Sequence, residues 1–254
     1  MQITISENNK IIENQHYVGN RSAKEIHEDG QKVGTFRTST VLVDGNHLIF
    51  RNCTFENNAG PGHLAGQAIA LYLDGDDIVL ENCVLKGNQD TLFLAPLPEK
   101  ELIPGGFLGP KQNTPRTPRK YVFRKCRIEG GVDFIFGGAE ALFEECEFYN
   151  TEPGYVFAPS TPLGQEKGFT AVNCRFTCAP EVPDHSCYIA RPWRNYAKVT
   201  IENCWLDRHI HPEGWNDWDK AEAHDTVEFV EINSTGPGSM QMQRPGYVQM
   251  YNEK

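Results

Sequence analysis

Phe50-Arg-Asn-Cys53-Thr-Phe55 is the first copy of a pattern that recurs along this chain. The same arrangement, apolar-x-(Asn/Lys/Glu)-Cys-x-apolar, returns as Leu80-Glu-Asn-Cys83-Val-Leu85, Phe123-Arg-Lys-Cys126-Arg-Ile128 and Phe143-Glu-Glu-Cys146-Glu-Phe148. It appears again as Ala171-Val-Asn-Cys174-Arg-Phe176 and Ile201-Glu-Asn-Cys204-Trp-Leu206. Successive cysteines stand 30, 43, 20, 28 and 30 residues apart. Recurrence at 20–30 residues is the mark of a solenoid. Each unit is short, rich in strand formers and bounded by Asn, Asp and Gly, while helical 3.6-residue periodicity is weak. The pattern predicts an all-β chain wound as a parallel β-helix, one strand per side and a turn between. A leucine-rich repeat fits less well, because no LxxLxLxxN spacing occurs.

In such a coil each repeated cysteine points inward as a small apolar filler, stacked on its counterpart in the next coil. The preceding Asn suits a bend with positive φ, its side chain bonding to backbone. The 43-residue step carries an insertion at 95–119, with six prolines and three glycines, expected to hang over one face near the site. Residues 1–40 fit the repeat poorly and predict an irregular cap or a short first coil. The last coil is placed near Cys204, with 207–254 as a loop-rich tail whose HPEGWNDWD cluster packs against the helix. One domain, 1–254, is expected.

Of 254 residues, 39% are hydrophobic and 23% charged, which describes a globular chain. The net charge of -10 argues against nucleic acid as a partner. It also repels polyanions, so an anionic polymer needs either a less negative groove or masked charges. No run of 18 apolar residues is present, so no membrane-spanning helix is expected. The start, MQITISENNKII, lacks a signal-peptide pattern. With many buried-type cysteines, this favours the cytoplasm over secretion with a signal removed. Oligomeric state is not legible.

Three segments carry candidate chemistry: Gly87-Asn-Gln89-Asp90-Thr91-Leu-Phe93, Gly131-Val-Asp133-Phe-Ile-Phe136-Gly137 and Ala190-Arg191-Pro192-Trp193. Asp90 and Asp133 each lie seven residues past a repeat cysteine (90 − 83 and 133 − 126). Equal offsets place them at one angle on adjacent coils, about 4.8 Å apart. Carboxylates that close couple, one protonated and one ionised. The pair also fits turn capping or calcium binding. Arg191 is placed to pair with Asp133, and Trp193 offers a flat face to a sugar ring. Gln67 and Gln89 offer neutral amide donors for an oxyanion.

At these residues the chain resembles the pectin methylesterase family. NNAGPGHLAGQAIAL, GNQDTLF, VDFIFG, Arg191-Pro-Trp193 and HPEGW occur in the family's order and cover roughly residues 36–240. The resemblance implies a right-handed parallel β-helix that hydrolyses galacturonate methyl esters of homogalacturonan, releasing methanol, without cofactor or metal. It implies Asp133 as nucleophile, Asp90 as proton-transfer partner, Gln89 and Gln67 at the oxyanion and Arg191 positioning Asp133. Phe136 and Trp193 would line the groove, as would Phe93, which stands where the family usually has Tyr. Other departures are Ala190 for Gly, Gly66 for His, the 95–119 loop and a reduced N-terminal coil.

Two rivals remain open at this level. One is a non-catalytic pectin-binding relative; the other is a lyase or glycosidase on the same fold. Cys178 and Cys187, outside the repeat, fit a disulfide or free thiols. His185 lies nearby, but no four-ligand metal spacing is visible.

Overall fold

The computed structural model describes residues 2–240 and 243–251. The strand-forming units stack as three parallel walls. The first wall is Ile3–Ile5, Val41–Val43, Leu71–Leu73, Leu92–Leu94, Ile135–Gly137, Tyr155–Pro159 and Tyr188–Ala190. The second, nine strands deep, begins with Lys10–Glu13 and Leu48–Arg51 and ends with Glu228–Ile232 and Val248–Tyr251. The third runs from His16–Gly19 through Arg127–Gly130, Glu147–Asn150 and Arg175–Cys178 to Trp205–Leu206. The chain visits the walls in turn, which makes a right-handed parallel β-helix.

Period-two alternation sends every second side chain inward, giving Phe50, Leu80, Phe123, Phe143, Ala171 and Ile201 one above another on the second wall. Phe123 and Phe143 stack with centroids 4.7 Å apart. Each buried side chain of this size contributes roughly 1.5–3 kcal/mol from area removed from water. The inward column then meets Glu231, fully buried but bound by Arg244 (2.8 and 3.0 Å) and by the indole N–H of Trp215 at 3.1 Å.

The repeat cysteines occupy the bend between the second and third walls, buried and free. Their thiols donate to carbonyls of the neighbouring coil, Cys83 to Phe50 at 3.5 Å. The preceding residues, Asn52, Asn82, Lys125, Glu145, Asn173 and Asn203, have φ of 52–55°. The left-handed bend is as expected, but the amides bond to one another rather than to backbone. Asn82 donates to Asn52 at 2.7 Å and Asn52 to Asn14 at 3.3 Å.

Of the two expectations for residues 1–40, the short first coil is the one formed, with strands Ile3–Ile5, Lys10–Glu13 and His16–Gly19. One boundary differs from the sequence reading. Past Cys204, where the last coil was placed, the second wall gains two more strands. Asn14-Gln15 and Asn233-Ser234 make the same left-handed bend (φ 55° and 52°) with Gln and Ser where cysteine stands elsewhere.

The first wall is apolar on its outer face too. Leu42, Tyr72, Phe93, Phe136 and Ala158 stack outward in register. Two segments cover them: Phe36, from the crossing between the first two coils, and Leu97 with Phe107 from the insertion. Phe36 lies 5.0 Å from Phe93 and 5.8 Å from Phe107. This second core holds the insertion in place beside the site.

Candidate active site

The third chain bend, leading back to the first wall, holds the two aspartates. Asp90 and Asp133 both adopt left-handed backbone, φ 63° and 51°. Asp and Asn tolerate that region better than other side-chain-bearing residues. The amide of Asp90 donates to Val132 O at 3.0 Å, and that of Leu92 to Phe134 O at 2.9 Å, so the two bends lie directly one on the other. Both carboxyls reach the same cleft, of about 360 Å³. Gly137 closes the motif at φ 129°, where a Cβ would stand 2.0 Å from Leu94 O, so only glycine lets the neighbouring strand approach.

Arg191 follows the strand Tyr188–Ala190 and reaches across two coils. Its Nε donates to Asp133 Oδ1 at 2.8 Å and its Nη2 to Oδ2 at 2.7 Å, a two-pronged grip on one carboxylate. The guanidinium lies 3.8 Å from the Tyr155 ring centroid and 3.6 Å from that of Trp218. Stacking between two rings fixes its plane and hence the carboxylate's orientation.

Burial dominates the charges. It raises Asp90 well above the usual carboxylate range, and the Asp133 charge pushes it further, with Arg191 pulling weakly the other way. Burial also raises Asp133, against the opposing pull of the Arg191 fork. Asp90 is pushed up further than Asp133, which separates the two carboxyls in their hold on a proton. Around them the cleft is cationic in an acidic protein. Arg194 lies on its rim, donating to Trp193 O and Lys100 O. Lys220 donates to Pro192 O at 2.7 Å and sits 4.5 Å over the Trp218 ring, with burial lowering it to about 8.

Gln67, Gln89, Phe136 and Trp193 line this cleft with the aspartates and Arg191. Trp193 meets Phe136 edge to face at 5.7 Å. Phe93 does not reach it. Expected in the groove, it is 0% exposed, packed between Tyr72 and Phe136 (4.6 and 4.9 Å) and roofed by Phe36. The outer cluster claims the ring, so it supports the floor beneath the cleft. Sequence reading missed Thr35, Phe36, Phe107, Leu102, Ile103 and Trp218, all of which line the cleft. Leu102 and Ile103 are 73% and 68% exposed, apolar groups on an open rim. The HPEGWNDWD cluster divides: Trp215 is fully buried against Phe229, while Trp218 faces the site. Nothing in the local sequence separates the two tryptophans; the coil geometry does.

Residues 13–96 and 114–253 match the family model described as Pectinesterase.
The chain belongs to the pectinesterase family.
The interval the family model skips lies within the insertion, so that roof of the cleft belongs to this chain and not to the common pectinesterase pattern. The chain is 31% identical over 264 residues to the probable pectinesterase/pectinesterase inhibitor 64 of Arabidopsis thaliana, covering 94% of this chain and 40% of that one. It is 32% identical over 229 residues to pectinesterase 31 of the same plant, covering 89% and 64%. It thus spans 40% and 64% of the length of these two relatives. A pectin methylesterase solved in complex with a hexasaccharide superposes with a TM-score of 0.77 at 23% identity, over 98% of this chain and 80% of that one. That likeness shows the pectinesterase fold.

Proposed function

We propose that the chain hydrolyses galacturonate methyl esters of pectin, releasing methanol. The observation that carries this is the pair of stacked aspartates, one gripped by Arg191 and one left to hold a proton, at the foot of an aromatic cleft. Family membership supports the same chemistry.

The ionised Asp133 attacks the ester carbonyl carbon, and negative charge gathers on the carbonyl oxygen. Gln89 and Gln67 supply neutral amide donors to that oxyanion, where a cation is not needed. The C–OCH3 bond breaks as Asp90 gives its proton to the departing methoxide, leaving a mixed anhydride on Asp133. Asp90, now a carboxylate, takes a proton from water as the water oxygen attacks the anhydride. The sugar leaves as a carboxylic acid and Asp133 returns to its ionised form. Arg191 keeps Asp133 oriented and charged, and Trp193, Phe136 and Trp218 offer flat faces to sugar rings.

Homogalacturonan is the polymer we assign to this cleft, and a pectin methylesterase of the same fold solved in complex with a hexasaccharide supports a polysaccharide substrate. The charge problem has a local answer. The whole chain carries -10, but Arg191 and Arg194 line the cleft and the Lys220 charge acts on Asp133 from beside it, so the groove is less negative than the surface around it.

The test is methanol release from highly methylated pectin. Asp133→Ala and Asp90→Ala are each expected to lower kcat at least about a hundredfold, the low end for a positioned proton-transfer group. The rate needs Asp133 ionised and Asp90 protonated. It falls at low pH as Asp133 gains a proton and at high pH as Asp90 loses one, the low limb shifted up from the ordinary aspartate value and the high limb shifted well above it. Activity surviving in both variants refutes the assignment. An inert wild type favours a binding-only relative, and new reducing ends or unsaturated sugars favour a glycosidase or a lyase.

A further inference from the structure

The end of the third wall gathers a second set of ligating atoms. Cys178 closes the strand Arg175–Cys178, and Asp207 and His209 follow Trp205–Leu206 in the next coil. One ligand atom from each lies within 4.8 Å of the others. Cys178 stacks on Asn150, which stacks on Gly130, so this cluster sits on the same corner as Asp133, two coils further along.

His209 supplies the independent sign. It is fully buried, and its Nε2 lies 3.2 Å from Asn150 Oδ1. With Asn150 Oδ1 as the acceptor, the proton sits on Nε2 and Nδ1 holds a bare lone pair. That Nδ1 is buried with no hydrogen-bond partner, and Asn150 Nδ2 is likewise buried without one. A buried lone pair left unmade costs free energy, and natural structures leave few without a purpose. One ring nitrogen anchored to an amide and the other free is the arrangement of a metal-ligating histidine. Cys178 and Asp207 are only partly buried, so the pocket opens to solvent on their side.

Thiolate, imidazole and carboxylate together suit a borderline-soft divalent ion and not calcium or magnesium, which take oxygen ligands. We propose that Cys178, Asp207 and His209 bind one divalent ion of the zinc class, with water in the fourth position, clamping the sixth coil to the seventh. On binding, the Cys178 thiol gives its proton to solvent and the sulfur bonds the metal. Sequence spacing hides the set, because Asp207 stands 29 residues after Cys178 (207 − 178 = 29) and only coil stacking joins them. His185, the histidine nearest in sequence, faces Ile210 O instead.

Tag-free protein stripped with chelator and titrated with Co2+ tests this. The expected result is near-ultraviolet thiolate-to-cobalt absorption that saturates at one equivalent and is abolished by Zn2+. Cys178→Ser removes the band, and Asp207→Asn weakens Co2+ binding at least about tenfold, the lower range for loss of a group supporting a metal. Zn2+ should also raise the thermal midpoint of the wild type and not of Cys178→Ser, whose metal-free midpoint serves as the folding control. No band in the wild type, or a band of equal strength in Cys178→Ser, overturns the site.

Discussion

Two bends of the same coil use one backbone state for opposite ends. At the bend between the second and third walls, Asn52, Asn82, Asn173 and Asn203 sit at φ 52–55°. At the bend back to the first wall, Asp90 and Asp133 sit at φ 63° and 51°. An amide carries both donor and acceptor, so a column of asparagines satisfies itself, as Asn82 and Asn52 do at 2.7 Å. Ionised carboxylates only accept, so a column of aspartates needs a proton or a cation from elsewhere. Here Asp90 takes the proton and Asp133 takes Arg191. Replacing the amide with an acid at a left-handed bend turns a structural ladder into a pair of groups with divided protonation.

The strongest way to break this comparison is to make the acidic bend resemble the neutral one. Asp133→Asn leaves the Arg191 cation between Tyr155 and Trp218 without its counter-charge, expected to cost about 3 kcal/mol or more. Asp90→Asn should do the reverse. Asp90 has its pKa raised by folding, so its contribution to stability is complete below the unfolded-state value and is lost as pH rises towards the folded one. At pH 7 the buried carboxyl is a cost, and the amide removes it. Thermal unfolding should show a higher midpoint for Asp90→Asn at pH 7 and no difference near pH 3. Equal destabilisation by the two substitutions breaks the division of roles.

How much of this was legible depends on whether the repeat marks it. The cysteine fixes an angle on each coil, so counting seven residues on from Cys83 and Cys126 reached the paired aspartates. The partner of Asp133 was legible as well, since Arg191 stands in a short rigid segment at the end of a first-wall strand. The first coil was only half legible and the eighth escaped, because Gln15 and Ser234 replace the cysteine while the bend itself persists. The outer face of the first wall escaped for a different reason. What covers Phe93 comes from Phe36 and Phe107, in segments with no period, and a motif gives a stacking position without saying what lies over it. Trp218 was grouped with Trp215, although only coil geometry distinguishes a plug from a wall.

The neutral bend gives the next, smaller effect. Asn82→Ala puts a side chain with little tolerance for positive φ at 54° and deletes the bond to Asn52, for about 1–2 kcal/mol in all. Asn82→Gly should recover the backbone share and leave only the lost hydrogen bond. Chemical unfolding of the two variants separates these contributions. A glycine variant no more stable than the alanine one would show that the ladder, and not the bend conformation, carries the asparagine's effect.

The smallest effect sharpens the comparison most. The asparagine column is interrupted at Lys125 and Glu145, which hold the same left-handed bend at φ 52° and 53°. They pair with each other at 3.7 Å through side chains 67% and 61% exposed. A surface pair of that kind contributes little, near 0–1 kcal/mol, while each non-Asn residue there carries a left-handed penalty of about 1 kcal/mol. Lys125→Asn with Glu145→Asn would join the column from Asn14 to Asn233 without a break. The double variant is expected to gain about 1 kcal/mol in chemical unfolding, with methanol release unchanged, because this bend lies a whole wall away from Asp90 and Asp133. A stability loss would mean that the ion pair outweighs the ladder at that point. A change in activity would mean that the two bends are mechanically coupled through the third wall, and that the separation of structural and chemical roles between them does not hold.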